Sequence, residues 1–184
     1  MKLINVLATG PSLNRYRESS DTTIGVNKIV LTHKVDHLVC IDVAAGFPEF
    51  VLKKFRIGNY QKFYTHLYDE WKGIIPREIV KIDLLNRSSV DLDTDKYSYS
   101  ISSPFVAVIL AYKLGANIID LYGADYNDHP SFKSPDTLKR IKTDFKLLQR
   151  ELLKKGVSIR VTKESCLSEF LPLIPKSRMN LDTL

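Results

Sequence analysis

Cysteine is scarce in this sequence. Its 184 residues hold two, Cys40 and Cys166, each inside an apolar run. Thiols so placed read as buried and free rather than as a disulfide. No cysteine or histidine spacing matches a zinc site. Long hydrophobic runs are missing too: no stretch reaches the roughly 20 apolar residues of a membrane-spanning helix. Met1-Lys2 leads through a short strand-like run straight to Gly10-Pro11, which is not the layout of a secretory leader. Repeats, low-complexity tracts and internal linkers are also lacking. These absences exclude a disulfide scaffold, a zinc module, a solenoid and a bilayer-spanning chain. They place the expected location in a reducing cytoplasm.

What is present suits one globular domain over residues 1–175, followed by a polar and loose C-terminal tail at 176–184. The hydrophobic fraction of 44% can fill a core, and the charged fraction is 26%. A formal net charge of +6 favours an anionic partner: a nucleotide, a nucleic acid or a membrane surface. Much of that excess falls within 133–155, on what reads as a solvated helix.

Short apolar runs predict strands over 3–8, 22–27, 38–41 and 117–122, a last strand over 157–161, and weaker ones at 62–64 and 79–84. Helical spacing covers 103–114, stopped by Gly115. It also covers 137–155, where Leu138, Ile141, Phe145, Leu148 and Leu152 form one stripe ahead of Gly156. Strands alternating with helices predict an α/β domain with a mostly parallel sheet covered on both faces.

In such a sheet, ligands bind beyond the carboxyl ends of the strands. The residues waiting there are Thr9, Gly10, Pro11, Ser12, Asn27, Asp42, Ser102, Ser103, and the loop with Asp125, Tyr126, Asp128 and His129. Gly10 permits close approach of the backbone to a ligand, Pro11 suits a first helical turn, and N–H groups at a helix start favour phosphate. The same residues would equally make a plain capped turn. The glycines and lysine of a Walker A loop or a dinucleotide fingerprint are absent. Ser102 and Ser103 read either as an N-cap before Pro104 or as donors facing a phosphate or sugar. A histidine beside a carboxylate, as at His129, is a candidate general base or an exposed loop residue. His33, His37 and His66 stand in less suggestive places.

Several segments resemble one family in order along nearly the whole chain. Ala8-Thr9-Gly10-Pro11-Ser12-Leu13 resembles the Gly-Asn-Gly-Pro-Ser-Leu loop of the bacterial sialyltransferases of glycosyltransferase family 42. The related DUF115 group, which includes archaeal 6-hydroxymethylpterin diphosphokinases, carries the same loop. Gly25-Val26-Asn27 is similar to their second-strand asparagine, and Ile101-Ser102-Ser103 to an Ile-Thr-Ser-Gly segment. Leu114-Gly115-Ala116 with Leu121-Tyr122-Gly123-Ala124-Asp125 is similar to a later Leu-Gly…Leu-x-Gly-x-Asp signature. Ser165-Cys166-Leu167-Ser168-Glu169-Phe170 resembles a closing Ser-x-Leu-x-x-Phe. This chain departs at Ala8, Thr9 and Pro104, and Asp42 stands where the sialyltransferases have a nucleotide-contacting asparagine.

The resemblance implies a Rossmann-like (GT-A-like) sandwich and a glycosyltransferase using a nucleotide-sugar, with a CMP-linked donor as the model. It implies inverting, metal-independent transfer to an acceptor hydroxyl, with no bound cofactor. By this resemblance His129 would take the acceptor proton, with Asp125 next in line. Thr9, Gly10, Pro11, Ser12, Asn27 and Asp42 would hold the nucleotide. Ser102, Ser103 and Tyr126 would face the phosphate or donor sugar. Two rivals stay open. One is a diphosphokinase with Mg²⁺ on Asp42 and Asp125; the other is a nucleotide-binding protein without catalysis. The acceptor is a glycan, a lipid-linked sugar or a base in DNA, the last without an aromatic-and-basic motif to support it.

Overall fold

The computed structural model describes residues 1–85, 90–126 and 134–180. Short apolar segments form the strands β1 (Leu3–Leu7), β2 (Thr22–Val26), β3 (His37–Val39), β4 (Lys62–Thr65) and β5 (Glu78–Lys81). Two later ones are β8 (Ile118–Tyr122) and β9 (Ser158–Val161). All seven pair in parallel, in the order β5-β4-β3-β2-β1-β8-β9. The expected parallel α/β sandwich is therefore the observed fold. A separate two-stranded ladder joins β6 (Leu84–Leu85) to β7 (Tyr97–Ser98). The run expected as a single strand at 79–84 is thus divided between two sheets.

Side chains alternate across the strands and divide the core in two. On one face Ile4, Val6, Ile24, Ile119, Leu121 and Ile159 meet α3 (Ser103–Lys113) and α4 (Pro135–Lys154). Helix α3 is apolar nearly all round and buries eight residues, as a helix enclosed by its neighbours must. Helix α4 is amphipathic. It buries Ile141, Phe145, Leu148 and Leu152, with Leu138 packed at the margin of the core. On the other face Leu7, Leu38, Phe63 and Tyr122 meet α1 (Glu49–Ile57) and α2 (Tyr68–Trp71). Rings of Phe47, Phe55, Phe63 and Trp71 interlock there, with centroids 4.9–6.1 Å apart. Neither α1 nor α2 was anticipated from the sequence pattern.

The C-terminal segment is not loose through Asn180. Met179 bridges to Tyr16, and the Asn180 N–H donates to Arg15. Arg178 reaches Asp21 at 2.7 Å and the fully buried Asp120 at 3.1 Å. Asp120 also takes a two-pronged contact from Arg160 on β9, at 2.6 and 2.8 Å. A carboxylate in the middle of a buried strand needs such partners. Both cysteines are free and buried, as expected. Among the described residues no helix is long and apolar enough to cross a membrane.

Candidate functional site

The chain steps outward from β1 to β5, then returns through α3 to place β8 on the other side of β1. The reversal therefore lies between β1 and β8, and the carboxyl ends around it are where a parallel sheet binds ligands. Here the two loops at the reversal are tied to each other. The Gly10 N–H donates to the Gly123 carbonyl at 2.8 Å, and the Gly123 N–H donates to Ser12 Oγ at 3.1 Å. The Ser12 N–H donates to Asp125 Oδ2 at 2.7 Å, and the Ser12 hydroxyl donates to Asp125 Oδ1.

This pairing changes the meaning of the first loop. After β1 the chain forms a 3₁₀ turn, Pro11–Arg15, rather than an α-helix. The N–H groups expected to cradle a phosphate are occupied by protein oxygens, and the anion at the turn is the Asp125 carboxylate itself. Gly10 has an ordinary φ of −74°. Its need for glycine is spatial: an added Cβ would lie 2.5 Å from the Gly123 carbonyl oxygen and 2.7 Å from Asp125 Oδ2. The close approach is to the protein's own backbone. Asp125 is buried with each carboxylate oxygen engaged, an arrangement that holds two loops together.

The open space lies beside this knot, beyond β1, β2 and β3. A cavity of about 360 Å³ is lined by Thr9, Asn27, Lys28, Asp42, Val43, Gly46 and Phe47. Asn27 is its pivot. It sits at φ +50°, in the left-handed region that non-glycine residues seldom occupy. Its amide nitrogen donates to Asp42 Oδ2 at 2.6 Å and to Ser103 Oγ at 3.3 Å. Its buried Oδ1 has no partner. An orphaned buried acceptor at a strained residue in a cavity wall is a place for a ligand's hydrogen-bond donor. The wall thus offers acceptors at Thr9, Asn27 and Asp42, and one cation at Lys28, whose Nζ lies 6.0 Å from the Phe47 ring.

Ser103 therefore joins the cavity group through Asn27, whereas Ser102 turns inward. Its Oγ lies 2.5 Å from the hydroxyl of Tyr126, and both residues are buried. Tyr126 has φ +63°, so the two non-glycine residues with positive φ among those described both belong to the candidate set. Burial pushes the Tyr126 phenol well above its ordinary range, which keeps it protonated and able to donate. Asn127, Asp128, His129 and Pro130 lie outside the described residues, so the proposed base has no described position.

Sequence reasoning missed Lys28, Val43, Gly46 and Phe47. Each directly follows or shortly precedes an element end, and only the three-dimensional turn 44–46 brings Phe47 back to the cavity. His66, which the sequence places less suggestively, follows β4 at the same end of the sheet. The Nδ1 of His66 is buried without a partner, and burial holds its imidazole pKa below the ordinary value despite the opposing charges of Glu70 and Asp42.

No family model matches this chain, and no curated protein matches it. Solved structures do. The fold is similar to that of the sialyltransferase CstII from Campylobacter jejuni in complex with cytidine-5'-monophosphate. The TM-score is 0.63 at 19% identity, covering 98% of this chain and 88% of that one. CstII in complex with the substrate analogue CMP-3FNeuAc is matched with a TM-score of 0.61 at 18% identity, over the same shares of both chains. A further structure, CST-II in complex with a trisaccharide acceptor and CMP, gives a TM-score of 0.60 at 15% identity, again over 98% and 88%. At these identities the likeness is one of fold.

Proposed function

We propose that this chain is a glycosyltransferase that draws its sugar from a nucleotide-linked donor, with a cytidine monophosphate conjugate as the favoured class. The observation that carries this reading is the cavity at the ends of β1, β2 and β3, with the orphaned Oδ1 of the left-handed Asn27 in its wall. Two further lines support it: the ordered motifs in the sequence, and a shared fold with a sialyltransferase described in complex with CMP. Acceptor atoms at Asn27, Asp42 and Thr9 suit the amino and hydroxyl groups of a nucleoside, and Lys28 suits its phosphate.

In the reaction, an acceptor hydroxyl attacks the anomeric carbon. The bond from that carbon to the phosphate oxygen breaks with inversion, the nucleotide leaves, and the hydroxyl proton passes to a base. His129 is the proposed base by resemblance, and a glycan is the favoured acceptor. The transfer is proposed to need no metal. Under the diphosphokinase rival, Asp125 would have to ligate Mg²⁺, but both its oxygens are engaged by Ser12. No observation favours that rival.

The test is a thermal-shift and calorimetric screen of CMP, UMP, GMP, ADP and CMP-linked sugars, in EDTA and in Mg²⁺. A ligand that binds the folded state raises its Tm by mass action. Stabilisation by cytidine nucleotides in EDTA, followed by release of CMP from a CMP-sugar in the presence of a glycan acceptor, is the expected result. A protein that no nucleotide stabilises, or that turns over only with Mg²⁺ and ATP, overturns the reading.

A further inference from the structure

Helix α1 buries Val51 and Phe55 and turns a different set outward. Phe50, Lys53, Lys54 and Ile57 are all exposed. Their spacing of three, four and seven puts them on one helical face. Phe50 is 64% and Ile57 61% exposed, high values for large apolar side chains. The one acid of the helix, Glu49, stands at the flank and is held by Arg56 at 2.5 Å. The outward face therefore combines two apolar groups with two cations, and the one anion at its edge, the exposed Glu49, is paired with Arg56. A third cation, Lys28, is exposed on the 3₁₀ turn Asn27–Leu31, whose residues pack against α1.

Isolated exposed apolar residues need no explanation. Two on one face, interleaved with lysines, have a specific meaning: apolar groups enter the acyl boundary of a bilayer while the lysines stay at the level of its anionic headgroups. A second copy of the chain is a poorer occupant, because a two-fold contact on this face would bring Lys53 and Lys54 of each copy together.

We propose that this face of α1 docks the protein on an anionic lipid bilayer surface, through Phe50 and Ile57 in the interface and Lys53 and Lys54 on the lipid phosphates. The patch adjoins the cavity, since Phe47 in the cavity wall begins the turn into α1. Docking would then hold the cavity close to the bilayer and favour an acceptor hydroxyl carried on a lipid. That consequence rests on the transferase reading; the docking itself does not.

The experiment is co-sedimentation of the whole chain with vesicles of phosphatidylcholine alone, and of equal parts phosphatidylcholine and phosphatidylserine. The wild type should sediment with the mixed vesicles and not with the neutral ones. Lys53→Glu with Lys54→Glu should weaken that binding by ~30-fold or more, from the usual contribution of a lysine near an anionic surface. Phe50→Ser with Ile57→Ser should weaken it by about ten-fold or more. Circular dichroism and nucleotide titration of both pairs should match the wild type, since all four side chains are exposed. Wild-type binding to neither vesicle, binding that both variant pairs retain, or a wild-type dimer that Phe50→Ser with Ile57→Ser dissolves would each overturn the proposal. Vesicle binding intact in a protein that binds no nucleotide would leave the docking standing and sink the transferase reading.

Discussion

Asn27 donates its amide hydrogen to the Asp42 carboxylate at 2.6 Å, while the buried oxygen of the same amide is left without a partner. The bond to Asp42 anchors the amide at the cavity wall, where Asn27 and Asp42 both line the space. Replacing Asn27 by Ala should weaken binding of the best nucleotide by roughly ten-fold or more, the usual effect of losing one well-placed hydrogen bond and disordering another. Backbone strain adds a way to separate binding from folding. Alanine at φ +50° should cost about 1 kcal/mol of stability, whereas Asn27→Gly should keep or raise the Tm and still lose affinity. Unchanged nucleotide affinity in both variants would assign Asn27 to the fold alone.

The Ser12 and Asp125 pair should behave as a structural tie. Ser12→Ala removes the hydroxyl that serves both Asp125 and the Gly123 N–H. The expected loss is about 2–3 kcal/mol, from buried polar groups left unpaired. Asp125→Ala should cost a similar amount, and the double variant should cost less than the sum of the two. Denaturant melts of the four proteins measure this. Full stability of Asp125→Ala with abolished turnover would instead make Asp125 part of the chemistry.

Gly10→Ala tests space rather than conformation. The new methyl would collide with the Gly123 carbonyl and with Asp125, at a cost of about 1–3 kcal/mol as the two loops are forced apart. Nucleotide affinity of the folded fraction should change little, because the crowded side of Gly10 faces the knot. A large loss of affinity at unchanged Tm would return Gly10 to the ligand.

His129→Ala should lower transfer by roughly 10²–10⁴ while nucleotide binding persists, the size of effect expected of a general base. His66→Ala is the matched comparison. Burial lowers the His66 pKa, so near neutral pH it is unprotonated and able to accept a proton. Loss of transfer in His66→Ala with full activity in His129→Ala would move the base to the end of β4.

Acid stability should depend on Arg178. The hydrogen bond from Arg178 holds the Asp21 carboxyl below the ordinary aspartate range, with Ser19 adding to the effect. A carboxyl depressed in the folded state stabilises it above the unfolded pKa, and that contribution is lost as pH falls through the lower folded value. The Tm of the wild type should therefore drop across the acid range near and below pH 4, and Arg178→Ala should flatten that part of the curve. Limited proteolysis should also cut Arg178→Ala more readily behind Ile174, where the segment loses its anchors on Asp21 and Asp120. Identical pH profiles would show that the ion pair contributes nothing.

Local pattern made the sheet legible. Apolar runs closed by Gly123 or Gly156 located β8 and the end of α4, and the 3.6-residue stripe of α4 matched the side chains it buries. Long-range partnership was less accessible. Ser12 and Asp125 both stood in the candidate set, but nothing nearby in sequence says that they bond to each other across 113 positions. Asp120 does carry a local signal of partnership: an acid inside Ile118-Ile119-Asp120-Leu121-Tyr122 demands a buried cation, and Arg160 and Arg178 are its answer. The left-handed turn at Tyr126 has no sequence signature, and Asn27 carries only a weak one, since asparagine enters that region more readily than other non-glycine residues but does not announce it as glycine would.

The order of strands also bears on how the protein emerges from the ribosome. Strand β1 is interior in the sheet, and its neighbour β8 follows it only after β2 to β5 and α3 have been made. During synthesis, one edge of the apolar Leu3–Leu7 strand stays bare until Ile118–Tyr122 arrives to cover it. A bare, hydrophobic strand edge is a template for pairing with another nascent chain, and parallel pairing at this separation is slow. Chains stalled or truncated before β8 should therefore call on chaperones far more heavily than chains released after it.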